Sequence, residues 1–80
     1  MKSLRNEIIL EDSVMSVYTY RYQLFSTFDA AYKVALRELE LGVFPSISIG
    51  VMSPNKEGQL VKVREYRYYY NNGTRVCDVL

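Results

Sequence analysis

Few side chains in this 80-residue chain are equipped for covalent or acid–base chemistry. There is no histidine, so the commonest general acid–base group is missing. The one cysteine, Cys77, therefore has no imidazole to activate it. Its alternating surroundings, Thr74-Arg75-Val76-Cys77-Asp78-Val79, place it mid-strand as a small buried apolar residue rather than a nucleophile. Glu38 and Glu40 stand two apart on a helix and point in different directions, so they are no paired-carboxylate site. Glu65 lies among arginines that would hold it in ion pairs. Gly42, Gly50, Gly58 and Gly73 are too scattered for a phosphate-binding loop. A Cys/His zinc site is excluded within one chain. Asn72-Gly73-Thr74 matches a glycosylation acceptor but reads as a turn. The expectation is a chain that is not an enzyme, with no catalytic residue, no metal and no cofactor.

The conspicuous chemistry is aromatic and cationic. Tyr66, Tyr68, Tyr69 and Tyr70 are half of the eight tyrosines, and they sit among Arg64, Arg67 and Arg75. Tyr and Arg are the side chains enriched at binding hot spots. On an open sheet the same pair stacks bases and holds phosphates. The candidate partner-binding residues are Arg21, Lys62, Arg64, Arg67, Tyr69, Tyr70 and Arg75.

Hydrophobic periodicity indicates the elements that carry them. From Val14 to Phe25 the pattern predicts one strand, with Val14, Tyr18, Tyr20, Tyr22 and Leu24 on the core side and Thr19, Arg21 and Gln23 on the other. Ser26-Thr27-Phe28-Asp29 matches a capping box and starts a helix that runs to about Leu41 and stops at Gly42. Phe28, Ala31, Tyr32, Ala35, Leu36 and Leu39 form its apolar stripe. Val34 and Leu41 lie off that stripe, where the N-terminal segment or a partner would cover them. Ser46 to Met52 is the next strand, with Ile47, Ile49 and Val51 alternating. A turn-rich loop over 53–58 leads to the strand that begins at Gln59.

That strand has a phase conflict. Val61 and Val63 mark one side, and Tyr66, Tyr68 and Tyr70 mark the other. A β-bulge near Arg64-Glu65 resolves it. A two-residue turn at Asn72-Gly73 then pairs Tyr70 with Arg75, Tyr68 with Cys77, Arg67 with Asp78 and Tyr66 with Val79. The core side becomes Val61, Val63, Tyr66, Tyr68, Cys77 and Val79. The open side carries Thr19, Arg21, Gln23, Lys62, Arg67, Tyr69, Val76 and Asp78.

The order β-α-β-β-β gives an α+β single domain over residues 14–80, with one helix packed on a four-stranded, mostly antiparallel sheet. The first strand, joined through the helix, is expected to run parallel to a neighbour, and its place beside the second or the fourth strand stays open. Residues 1–13 form an N-terminal extension. Leu4, Ile8 and Ile9 fit a helical turn, and Ile8-Ile9-Leu10 fits a short strand equally well. Four strands span about 19 Å, and one helix covers about 10–12 Å. One side of the sheet is therefore left open.

Net charge is +1, so no global field steers the chain to nucleic acid. The end from Lys56 to Leu80 is mildly basic, with five cations against three acids. No apolar run approaches the roughly twenty residues a membrane helix needs. Met1 to Glu7 does not read as a signal peptide. The expectation is a soluble, cytoplasmic protein that does not bind a membrane.

In size and layout the chain resembles small bacteriophage-encoded accessory proteins, the anti-CRISPR proteins among them. The likeness rests on a short Tyr-rich chain with one capped helix, Ser26-Thr27-Phe28-Asp29-Ala30-Ala31-Tyr32, on a small sheet. It implies a viral protein acting in the host cytoplasm as a stoichiometric inhibitor of a larger defence or nucleic-acid-processing complex, and it transfers no functional residue. The expected function is thus a non-enzymatic protein-binding module, an inhibitor or modulator. The alternative is a small nucleic-acid-binding domain using an Arg/Tyr sheet surface, although the chain lacks the Gly-aromatic core of the common RNA-binding sheet. The same exposed strand edges fit a homodimer.

Overall fold

A computed structural model describes residues 16–80. The strand and helix preferences of the sequence produce β1 (Val17–Tyr20), β2 (Gln23–Phe25), α1 (Phe28–Glu40), β3 (Ser46–Pro54), β4 (Leu60–Asn71) and β5 (Thr74–Val79). The five strands form one sheet in the order β2-β1-β3-β4-β5, and every neighbouring pair is antiparallel. The α+β class with a single helix on one sheet therefore holds for the described residues. The proposed N-terminal extension lies outside them.

The strand count and the direction of the first strand are corrected by one turn. The segment expected as a single strand folds back at Arg21 and Tyr22, whose φ angles are 49° and 72°. Two successive positive φ angles make the tight turn whose twist suits a hairpin. The reversal lets β1 lie antiparallel beside β3, with no parallel pair in the sheet. It also changes the facing of the residues after the turn. Tyr18 pairs with Phe25 and Tyr20 with Gln23, so Gln23 and Phe25 share the side of the helix. Tyr22 and Leu24, expected in the core, are exposed. Gln23, expected on the open side, is on the other.

Helix α1 starts at Thr27 rather than Ser26. The Thr27 Oγ1 accepts from the Ala30 amide at 3.2 Å. Its end is the expected Gly42, at φ 77°. There the Gly42 amide donates to Leu39 and the Val43 amide to Glu38, a paired closure that satisfies two late carbonyls. The apolar stripe behaves as its spacing predicts. Ala31, Ala35 and Leu39 are buried, and Phe28, Tyr32 and Leu36 pack around them. The two alanines bring the helix close to β3, where Ile49 and Val51 are almost completely buried. Each such side chain contributes roughly 1.5–3 kcal/mol. Tyr20 joins this core, and its hydroxyl donates to Glu38 Oε1 at 2.6 Å. Burial, then Glu38, pushes the pKa of that hydroxyl up to about 12. Val34 and Leu41 are exposed among the described residues.

The bulge exists, one residue earlier than expected. Arg64 lies opposite Val51 and Lys62 opposite Met52, so Val63 is the extra residue. The Asn72-Gly73 turn sets all four expected pairs of β4 with β5. Burial departs from the expectation, however. Val61, Val63, Cys77 and Val79 are exposed. α1 packs on β1, β2 and β3, and reaches β4 through rings, with Phe28 against Tyr66 and Tyr32 against Tyr68, both at 5.3 Å, and through Glu40 at its last turn. β5 lies beyond its width.

Tyr22 holds a left-handed backbone while its side chain is fully exposed. Tyr22→Gly should therefore stabilise the fold by about 1 kcal/mol. The check is a higher urea midpoint with an unchanged slope, and an unchanged or lower midpoint would show that the turn carries no such strain.

Candidate binding surface on the open sheet face

The side of the sheet away from α1 is built by the alternate residues of each strand. Thr19 of β1 and Leu24 of β2 lie opposite one another, and Thr19 lies opposite Gly50 of β3. Gly50 lies opposite Glu65, and Ser48 opposite Arg67. Arg67 in turn faces Asp78, and Tyr69 faces Val76. One face thus carries Lys62, Glu65, Arg67 and Tyr69 from β4, between the small residues of β3 and the edge strand β5.

Two features shape its centre. Lys62 and Glu65 are three apart, a spacing that puts side chains on opposite faces of a regular strand. The extra residue Val63 returns them to the same face. The Lys62 ammonium donates to Glu65 Oε1 at 2.6 Å. Gly50 makes room for this. A Cβ there would come within 3.2 Å of both Lys62 Cδ and Thr19 Cγ2, so the lysine stem crosses the sheet where a side chain is missing. The hydrogen bond from Lys62 holds the Glu65 carboxyl below its ordinary range, with Ser48 and Arg67 adding to the effect against the opposing cost of burial.

Towards β5, Asp78 is shared. It lies directly across from Arg67 and diagonal to Tyr69, and its carboxylate raises the pKa of the Tyr69 hydroxyl. Every cation placed on this face therefore has an acid beside it, with Lys62 by Glu65 and Arg67 by Asp78.

The seven candidate residues divide between two sides. Lys62, Arg67 and Tyr69 share the open face. Arg64, opposite Val51, is on the helix side. Tyr70 and Arg75 are there as well, where the Tyr70 hydroxyl donates to Glu40 Oε2 at 3.4 Å and the Arg75 guanidinium lies 3.7 Å from the same oxygen. These two tie the β4–β5 hairpin to the end of α1. Arg21, expected on the open face, is in the β1–β2 turn, with its guanidinium over the Phe44 ring at 4.6 Å and 4.0 Å from Glu38. The candidate set omitted Gly50, Ser48, Glu65 and Asp78. The Arg67–Asp78 pair is readable from the turn register, whereas the Lys62–Glu65 pair needs the extra residue to fall between the two.

Among the described residues no group of three or more His, Cys, Asp or Glu side chains is placed to hold a metal ion. No helix there is long and apolar enough to cross a membrane.

The Glu65 carboxyl is depressed in the folded protein, so its contribution to stability is complete above the ordinary glutamate range and is lost as pH falls through the lower, folded value. Lys62→Met removes the largest cause. We expect the Glu65 side-chain carboxyl resonance to titrate at higher pH in Lys62→Met than in the parent chain, and equal midpoints would refute the Lys62–Glu65 contact.

No protein-family model matches the chain, and no curated protein or solved structure matches it either.

Proposed function

We propose that this chain is a non-enzymatic protein-binding module that uses the open sheet face, and that it acts as a stoichiometric inhibitor or modulator of a larger complex. The observation that carries this reading is the charge-compensated face itself: Lys62 bonded to Glu65, with Arg67 directly across from Asp78 and Tyr69 diagonal to it. Exposed Leu24 adds an apolar spot on the same side. A surface of aromatic and arginine side chains with oriented polar groups fits a protein partner, whose own charges select one docking geometry.

The same charge balance weighs against the nucleic-acid reading. Phosphate binding draws its strength from cations that release counterions. Here Glu65 stands between Lys62 and Arg67, and Asp78 lies across from Arg67, so both acids would face the phosphates. A chain of net charge +1 gains little from long-range attraction to a polyanion.

The test is a comparison of immobilised parent chain with Arg67→Ala and Tyr69→Ala in recovery of partners from lysate of the source cells. Either variant should weaken the specific complex by about tenfold or more, the range of interface hot spots. Unfolding free energies from urea titration should stay within about 1 kcal/mol of the parent, since each removes one cross-strand pair. Undiminished recovery with both variants would remove the open face as the contact. Retardation of DNA or RNA in a low-salt gel, lost on raising the salt, would favour nucleic acid instead.

A further inference from the structure

The early turn of β1 leaves a gap in the sheet that has its own chemistry. β1 pairs with β3 only from Met52 to Gly50 and then reverses at Arg21. β3 continues to Ser46 with no strand beside it on that edge among the described residues. The direction of its free backbone groups is set by the pairing. Glu65 and Leu80 exchange amide and carbonyl bonds at 3.1 and 2.8 Å, so the main-chain groups of Glu65 point to the β5 side. Gly50, opposite Glu65, must then point its own groups to β1, and Ser48 and Ser46 point the same way by alternation. Past the turn those groups face a cleft of about 240 Å³ lined by Tyr20, Arg21, Phe44, Ser46, Ile47 and Ser48.

This lining has one formal charge, the Arg21 guanidinium, and no acid. The nearest carboxylate oxygen, on Glu38, is 4.0 Å away and already accepts from Tyr20 at 2.6 Å. Aromatic and aliphatic walls, a row of main-chain donors and acceptors with no strand beside them among the described residues, and a cation at one end together define a ligand. We propose that the cleft binds the free C-terminal end of an extended peptide, which adds to β3 along Ser46–Ser48 as a short parallel strand with its carboxylate on Arg21.

The direction is dictated by the charge. A strand in the gap is collinear with β1, and its end nearest the β1–β2 turn is the end nearest Arg21. A peptide antiparallel to β3 would put its N-terminus there, cation against cation. Only the parallel orientation delivers a carboxylate. Main-chain pairing then supplies sequence-independent affinity, and the apolar walls select the side chains. This site is separate from the open face, so either can fail without the other.

The test uses the full chain labelled with nitrogen-15, titrated with acetyl-Thr-Val-Thr-Val bearing a free carboxylate, with the same peptide as its amide, and with sodium acetate. The variant is Arg21→Asn, because asparagine tolerates the positive φ of that turn position and removes the cation. The expected result is saturable shifts of the Ser46 and Ser48 amides with the carboxylate peptide, about tenfold weaker binding by the amide, and no difference between the two peptides in Arg21→Asn. Acetate alone should leave the Ser46 and Ser48 amides unmoved at the same concentration. Absence of saturable shifts up to about 5 mM peptide, equal binding of acid and amide, or an acetate response as strong as that of the peptide would each overturn the proposal. The last of these would identify a small-anion site.

Discussion

One extra residue in β4 controls how the sheet presents its chemistry. Because Val63 has no partner on β3, the residues on either side of it are offset by one position from a regular strand. Tyr66 and Tyr68 can then face α1, where they meet Phe28 and Tyr32 edge-on, while Lys62 stays on the far side with Glu65, Arg67 and Tyr69. Without the bulge, Lys62 would share the face of the core tyrosines, and a charged stem would stand where rings now pack. The bulge therefore separates an aromatic seam from a polar face within a single strand. Gly50 is the counterpart on β3, since the redirected lysine needs a side-chain-free path over the neighbouring strand.

The second constraint is width. Five strands at about 4.8 Å each exceed the 10–12 Å that one helix covers. α1 is placed by Ala31 and Ala35 over β3, beside β1 and β2, and its far side ends at Tyr32. What ties the β4–β5 hairpin to the helix beyond that width is polar: Arg75 and Tyr70 converge on Glu40 at the last turn. Exposed ion pairs of this kind contribute at most about 1 kcal/mol. The edge strand is therefore fixed chiefly by its ladder with β4 and by the Asn72-Gly73 turn, and Cys77 and Val79 remain in contact with solvent although they face the helix side.

These two constraints explain how much of the fold is legible in the sequence. The Asn72-Gly73 hairpin is legible because the residues at the turn are those that accept positive φ, and the structure has them at 54° and 80°. The turn at Arg21-Tyr22 demands the same conformation from two residues that do not advertise it, so periodicity alone reads the hairpin as one strand. The existence of a bulge is implied by the conflict between Val61/Val63 and Tyr66/Tyr68, since no regular strand satisfies both. Its consequence for Lys62 is implied as well, because an extra residue anywhere from Val63 to Glu65 leaves that lysine on the open face, and only the facing of Val63, Arg64 and Glu65 depends on the exact position. Periodicity also says which side a residue faces but not whether anything lies over it. Val61, Cys77 and Val79 belong to the core by facing alone, and the limited width of the helix leaves them bare. Arg67 and Tyr69 of the open face are legible for a related reason: their facing is fixed by the turn register, and they need no cover to be correct.

The polar character of the open face is set by the sheet rather than by the individual side chains. Arg67 and Tyr69 flank Asp78 because the β4–β5 register brings them across from it and diagonal to it. Lys62 meets Glu65 because the bulge aligns them. Lys62 and Glu65 thereby meet with their hydrogen bond already made, and Asp78 is set beside Arg67 and Tyr69. A partner does not have to order them, which lowers the entropic cost of association. It does have to offer groups that fit between pairs already satisfied, because displacing Asp78 or Glu65 without replacement would leave Arg67 or Lys62 uncompensated in a drying interface. On the proposed binding reading, a charge-balanced face of this kind would owe its selectivity to geometry more than to net charge.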